Sequence, residues 1–400
     1  MVDFVLRNYT DMIYGKDQET KTAKLIRDFG GTRVLIHHSG EDFVLELIER
    51  VKGYLDEEGL AWVELAGVVP NPHIELVYEG ITLCRKENVD FILAIGGGSV
   101  IDSAKAIGIG ALYEGDVWDI YEGRDRQKKS LPVGVISTFA GTGSEATFGS
   151  VITKGKIKHG IEDPDDFVLI RPKFVIMNPE ITYTIPKFQT AVGIADMLTH
   201  LTENFFTADP DNDLSDHLAC AGIRTVLKFA PIVMQDPCNY EARGALMVLS
   251  PLAINGIMKV GRWGDWGCHD IEHEMSGEWN IPHGAGLAIL MPVWMRYVYK
   301  DHMKSFIKFA VEMFRIPLDV DEPEKTALAG IQAYEDFLYN MLGLPSSLSA
   351  LGIPPEELGE EVIHKVAEQV FYRGNETTGR THPLRKADVV RILRQCTGLI

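Results

Sequence analysis

The chain has 400 residues, 46% of them hydrophobic, and a formal net charge of −18. That length exceeds one ordinary core, so two domains are expected. The acidity excludes nucleic acid and anionic membrane surfaces as partners, because both repel it. It suits a soluble metabolic enzyme with a local pocket for a small molecule.

The N-terminal MVDFVLRNYTDMIYG carries acidic residues and no long apolar run, and does not read as a signal peptide. No stretch reaches the ~18 apolar residues of a membrane span. From there to about residue 180, short apolar strands alternate with helical stretches. RVLIHHSG reads as a strand ending in a turn, with His37 and His38 at the strand end or surface. EDFVLELIERVKGYLDEEG is an amphipathic helix closed by Gly59. LAWVELAGV is a strand, HIELVYEGITLCRKENV a helix, and DFILAIGGG a strand running into glycines. SVIDSAKAIGIGAL is a helix, LPVGVIST a buried strand, and VLIRPKFVIMNPE an extended stretch. This alternation predicts a parallel sheet in an α/β layer.

After TYTIPKFQTAVG, helical periodicity takes over to the C-terminus, in segments such as SDHLACAGIRTVLKFAPIVM, YEARGALMVLSPLAINGIM and KADVVRILRQC. The expected division is an α/β domain over 1–186 and an all-α domain over 187–400. The five cysteines (Cys84, Cys220, Cys238, Cys268, Cys396) are scattered and form no CxxC. They point to reduced thiols in a cytoplasm.

Two glycine-rich turns follow strands. In FILAIGGGSVIDSAK, a buried strand runs into Gly96–Gly98 and then a helix opening at Ser99. Glycines admit close approach of a pyrophosphate, and helix N-terminal amides attract its charge. ISTFAGTGSEAT repeats the theme with Ser137, Thr138, Gly141, Thr142, Gly143 and Ser144. Each turn alone is equally a tight turn or an N-cap. Two of them at strand C-termini of one α/β domain support a ligand site, since open sheets bind ligands there.

The helical half carries a second pattern. Asp196 and His200 are four apart in GIADMLTH, as are His269 and His273 in CHDIEHE, and His283 follows in IPHG. Spacing of four puts both side chains of a pair on one helix face. Two such helices and a loop histidine close around one ion. Asp with imidazoles suits Fe²⁺, Zn²⁺ or a similar divalent ion. Five candidates compete for four places, so one stands outside the coordination shell. Trp263 and Trp266 flank this helix and read as core packing, as do the Met and Leu residues of AGLAILMPVWM.

VVPNP (68–72), AIGGGSVIDSAKAI, STFAGTGSEAT, MNPEITYTIPKFQTAVGIADMLTH, GDWGCHDIEHE and IPHGAGLAIL occur in that order. In these blocks the chain resembles the iron-containing (group III) alcohol dehydrogenases, and within them the butanol dehydrogenase-like, NADPH-dependent aldehyde reductase branch. The resemblance covers nearly the whole chain. It implies a Rossmann-like N-terminal dinucleotide-binding domain and an all-α C-terminal metal-binding domain, the dehydroquinate synthase-like fold.

It also implies a metal bound by Asp196, His200, His269 and His283, leaving His273 near the substrate as a candidate proton relay. Gly97, Gly98 and Ser99 match the pyrophosphate turn, Asp102 a residue near the nicotinamide, and Thr138, Thr142 and Ser144 the second cofactor loop. Lys158 matches a lysine reaching the cofactor ribose. Ser39 and Gly40 stand where NAD-dependent relatives carry Asp, which argues for NADP(H) over NAD(H). Glu41 and Asp42 beside them argue the other way.

The implied reaction interconverts a primary alcohol and its aldehyde, butanol-like, in a cytoplasmic homodimer. Alternatives are a zinc-dependent glycerol or polyol dehydrogenase, a dehydroquinate synthase-like lyase, a metal-dependent hydrolase and a nucleotide-sensing module.

Overall fold

The computed structural model of the protein describes residues 1–126, 128–161, 170–209 and 211–399. The chain opens with β1 (Asp11–Tyr14), α1 (Thr22–Asp28), β2 (Arg33–His38), α2 (Asp42–Glu57), β3 (Ala61–Leu65) and α3 (Ile74–Glu87). Next come β4 (Phe91–Gly96), α4 (Gly98–Leu112), the short α5 (Trp118–Tyr121) and β5 (Val133–Ser137). A hairpin of β6 (Ser150–Lys154) and β7 (Ile157–Ile161) precedes β8 (Phe174–Met177). Helices follow: α6 (Lys187–Phe205), α7 (Asp213–Gln235), α8 (Tyr240–Ile254), α9 (Gly267–Trp279) and α10 (His283–Val298). The last are α11 (Met303–Phe314), α12 (Pro323–Asp336), α13 (Glu360–Gln369) and α14 (Lys386–Cys396).

Among the described residues, six strands form a parallel sheet in the order β1-β8-β5-β4-β2-β3. Side chains alternate across it, and both faces are covered. Leu35, Ile92, Val135 and Val175 pack with α3 and α4 on one face. Val34, Ile36, Leu93 and Ile176 pack with α1 and α2 on the other. This is why the strands read as continuous apolar runs. The chain moves outward from β2 to β3, then returns past β2 to β4, β5 and β8. Strand order therefore reverses between β2 and β4, and their C-terminal ends are where such sheets bind ligands. Ser39–Gly40 and Gly97–Ser99 follow those two ends.

The strands β1, β6 and β7 and the short helices α1 and α5 escaped the sequence reading. β1 is a four-residue edge strand with mixed exposure, recruited by pairing with β8 some 160 residues away. The β6–β7 hairpin turns at Gly155, which takes φ 62. The expected extended stretch is β8, although its first residues, Val168 and Leu169, lie outside the described residues.

The chain forms two compact units that do not follow its order. One holds 7–185 together with 237–255, and the other holds 1–6, 186–236 and 256–400. Residues 187–400 therefore do not form one domain, because α8 belongs with the sheet. The Ser250 hydroxyl accepts from the Gly141 amide at 2.9 Å, and Met247 enters the core beneath α4. Helical periodicity alone cannot tell which unit a helix packs on. In the helical unit, α7 is long and apolar enough by composition to rank as a candidate membrane span. It carries Asp216, Arg224 and Lys228, and its Ala219, Ile223 and Val226 are buried in a unit where α7 packs on α6.

His37 and His38 are buried, not at the surface. The His37 ring bridges the Leu65 carbonyl (2.9 Å) and the Ser103 hydroxyl (2.8 Å), tying β2 to β3 and α4. A carbonyl only accepts, so Nδ1 carries the hydrogen and Nε2 accepts from Ser103. Burial pushes the His37 pKa from 6.5 down to about 4. The unfolded chain thus takes up this proton first as pH falls. The stability from neutral His37 is whole above pH ~6.5 and is lost between ~6.5 and ~4, at most ~3 kcal/mol. In urea unfolding, His37→Gln is expected to flatten the fall in stability across that window relative to wild type. Parallel curves for the two proteins would exclude this role.

Candidate active site

α6 is buried from Thr190 to Phe205, so its polar residues face protein on every side. Thr199 and Thr202 spend their hydroxyls on carbonyls one turn back, those of Ala195 and Leu198. Asp196 and His200, four residues apart, share another face of the helix. α9 brings His269, and α10 begins at His283 itself. That histidine is the first residue of a helix and not part of a loop.

Asp196 Oδ1 is the hub. His200 Nε2 lies 3.4 Å from it, and the Nε2 atoms of His269 and His283 each lie 3.7 Å from it. The donor atoms of Asp196, His200 and His269 fall within 4.8 Å of one another. Asp196 Oδ1 and His269 Nε2 are buried without a hydrogen-bond partner. Donors held ~2.1 Å from a tetrahedral dication stand roughly 3.4 Å apart, close to the spacing of each imidazole from Asp196; the mutually close set is Asp196, His200 and His269, with His283 approaching from the Asp196 side. Burial alone would raise the Asp196 pKa, but the surrounding imidazoles hold it well below the usual carboxylate range. Burial pushes His200 down to about 3.

Glycines let the helices close. A Cβ at Gly284 would stand 2.1 Å from the Val192 carbonyl oxygen, so α10 starts directly against the α6 backbone. The turn into α9 is pinned by Asp265, which accepts from the amides of Gly267 (3.0 Å) and Thr381 (2.6 Å). Trp266 takes φ 66 there, a costly conformation for an aromatic residue. It sets the indole 5.2 Å from the His269 ring and 6.0 Å from His200. Trp266 therefore packs on the cluster, and Trp263 is 49% exposed, so neither is simple core. Leu287, Ile289, Leu290, Met291 and Met295 are fully buried.

His273 stays apart. Its ring is 6.3 Å from that of His269 and 5.4 Å from that of His283. Two carboxylates that the sequence reading passed over lie behind the cluster. The His269 Nδ1 meets Glu203, and the His283 Nδ1 meets Glu272. Spacing offered a signal for both. Glu203 is seven residues from Asp196, on the same α6 face, and Glu272 is three from His269.

The glycine turns meet in the α/β unit. A Cβ at Gly98 would lie 2.6 Å from the Thr142 side chain, and one at Gly97 would lie 2.9 Å from Phe139. The Thr138 amide bonds the Gly96 carbonyl at 3.1 Å. Gly98 opens α4 and Ser99 follows in its first turn, after the Gly97 N-cap. The Asp102 carboxylate accepts from the Ser144 hydroxyl and the Val151 amide (3.1 Å), so it braces the second loop. The Ser144 amide donates to Thr142 Oγ1 at 3.2 Å. Lys158 is buried in β7 and contributes charge to Asp102. Gly40 takes φ 81 after β2, and a Cβ there would lie 3.3 Å from Ala66. Glu41 and Asp42 open α2, exposed beside it.

Residues 10–179 match the family model for iron-containing alcohol dehydrogenase, and 190–397 match the C-terminal model of the Fe-containing alcohol dehydrogenase family. The chain is 38% identical over 398 residues to "Probable NADH-dependent butanol dehydrogenase 2" of Bacillus subtilis, covering 98% of this chain and 99% of that one. It is 29% identical to an NADPH-dependent aldehyde reductase of Escherichia coli, over 88% of this chain and 90% of that one. A crystal structure of NADH-dependent butanol dehydrogenase A from Thermotoga maritima superposes with a TM-score of 0.92, at 36% identity and 99% coverage of both chains.

Proposed function

This chain belongs to the iron-containing alcohol dehydrogenase family, and we propose that it interconverts a butanol-like primary alcohol and its aldehyde, using one divalent metal and NAD(H). The observation that carries the reading is the convergence of three Nε2 atoms on Asp196 Oδ1 at 3.4–3.7 Å. Asp196, His200, His269 and His283 would hold Fe²⁺ or Zn²⁺ there. Such an ion supplies Lewis acidity to the substrate oxygen, worth several kcal/mol in the transition state.

The remaining work falls to the chain's own groups. Gly97 and Gly98 let the second loop close against the start of α4, whose first-turn amides at Ser99 offer positive potential for a pyrophosphate. Thr138, Thr142 and Ser144 offer the second loop, held in place by Asp102. Lys158 is carried as a ribose contact on the family resemblance alone. His273, one turn along α9 from His269, moves the alcohol proton between substrate oxygen and solvent at an imidazole nitrogen.

The nucleotide assignment weighs two features. Ser39 and Gly40 leave no carboxylate directly after β2, which favours NADP(H). Glu41 and Asp42 put two charges at the α2 N-terminus, where a 2′-phosphate would meet them. The higher-identity relative named above is NADH-dependent by name. These tip the reading to NAD(H). A homodimer in a reducing cytoplasm accords with the family and with the free thiols of all five cysteines. Neither a polyol dehydrogenase nor a hydrolase is favoured by relatives that match nearly end to end.

The test is NADH oxidation with butanal by metal-free and by Fe²⁺- or Zn²⁺-loaded protein. Turnover is expected only in the loaded protein, with NADPH used less well. Glu41→Gln with Asp42→Asn is expected to raise kcat/KM for NADPH about three- to tenfold. Equal turnover after chelation would sink the metal reading, and an NADPH preference in the unsubstituted enzyme would restore NADP(H).

A further inference from the structure

We infer that Glu203 and Glu272 are positioning residues that fix the ring tautomers and orientations of His269 and His283, so that both present Nε2 to the Asp196 hub. The inference rests on the metal reading above.

Each carboxylate is fully buried and has both oxygens engaged. Glu203 takes the His269 Nδ1–H on Oε2 and the Cys268 amide on Oε1 at 2.8 Å. Glu272 takes the His283 Nδ1–H on Oε2 and the Ser276 hydroxyl on Oε1. An ionised carboxylate only accepts, so the hydrogen of each ring resides on Nδ1 and the lone pair on Nε2. The same contacts stop each ring from turning about its χ2 axis. A carboxylate behind an imidazole also makes it a stronger donor, which is how imidazole sites for divalent ions are ordinarily tuned.

The fold reserves space for these groups. A Cβ at Gly286 would stand 2.3 Å from Glu272 Oε1, so α10 is bare where the carboxylate lies. Glu203 is on α6 with Asp196 and His200, while the ring it orients is on α9. One helix thus supplies a donor pair and also aims a ligand on its neighbour. His200 is the exception, because its Nδ1 is buried without a hydrogen-bond partner. The support is therefore specific to two of three imidazoles, and is not a general habit of this core.

The experiment measures Zn²⁺ affinity by chelator competition, and the melting temperature of metal-free protein, for Glu203→Leu, Glu203→Gln, Glu272→Leu and Glu272→Gln. The Leu variants are expected to bind Zn²⁺ about 10- to 100-fold more weakly. The Gln variants, whose amide oxygen still accepts from Nδ1–H, are expected to recover most of that loss. Metal-free melting temperatures are expected to fall in the Leu variants, which leave the Nδ1–H and the Cys268 amide or Ser276 hydroxyl without an acceptor, but not in proportion to affinity across the four variants. Wild-type affinity in the Leu variants overturns the inference. So does a Gln variant as weak as its Leu counterpart, or a metal-free melting temperature that falls in step with affinity. If the unsubstituted protein binds no stoichiometric Zn²⁺, the metal reading fails first and takes this inference with it.

Discussion

His269→Ala is expected to abolish stoichiometric binding of a divalent ion and to lower kcat/KM for butanal by roughly three orders of magnitude. The size follows from the Lewis acidity at stake, several kcal/mol at 1.36 kcal/mol per tenfold in rate. The substitution removes one of three Nε2 atoms around Asp196 Oδ1 and strands the buried Glu203 carboxylate that met its Nδ1. Loss should therefore exceed that of a surface ligand. His273→Ala is the control on the same helix. It is expected to retain the ion while losing turnover and one limb of the pH–rate profile. Metal analysis by inductively coupled plasma mass spectrometry, with steady-state rates, separates the two. If His269→Ala keeps one ion per chain, the four-ligand assignment is wrong.

The second large effect is expected away from the metal cluster. Lys105→Met should destabilise the α/β unit by roughly 3–5 kcal/mol, the usual result of breaking a buried charge network by one partner. Lys105 is fully buried on α4. Its ammonium donates to the carbonyls of Ser144 (2.7 Å) and Gly149 (2.8 Å), and to the hydroxyls of Ser144 (2.9 Å) and Thr147 (3.2 Å). Asp102 lies 4.0 Å away. Burial pushes Lys105 down to about 8 and the neighbouring Glu145 up to about 7. Methionine fills the volume but leaves four acceptors and two carboxylates without their cation. The helix after the first glycine turn then no longer grips the loop carrying Thr142 and Ser144. Unfolding by urea should show the loss, and the Michaelis constant for the nucleotide should rise. A near-neutral Lys105→Met would mean the network contributes little.

Much of this was legible beforehand because its causes are local. Buried strands such as β2 and β4 announce themselves as apolar runs ending in glycine, and α6 and α9 display their ligand pairs at a spacing of four. Features that depend on distant contacts were hidden. β1 is four residues of mixed polarity, and only β8 makes it a strand. His37 and His38 do end β2, yet both rings are buried, one against the Ser103 hydroxyl and the other bonded to the exposed Glu64. Glu203 and Glu272 shared the faces of ligands already identified, but a glutamate on a helix is ordinarily solvated, and nothing local marked these as buried. His283 was expected in a loop, and Pro282 precedes it. That proline instead caps the helix that begins there.

The excursion of α8 has a consequence for how the gene can be divided. The backbone passes between the two compact units four times, at 6/7, 185/186, 236/237 and 255/256. A fragment ending at residue 186 would encode the six-stranded sheet but leave out the helix whose Ser250 receives Gly141, so the second glycine loop would lack its floor. The complementary fragment would lack Val2, whose amide bonds the Gly261 carbonyl at 2.8 Å. Each half carries a piece of the other's architecture. Recombination between relatives at residue 186 would therefore exchange mismatched parts, whereas crossovers that keep 237–255 with the sheet would not.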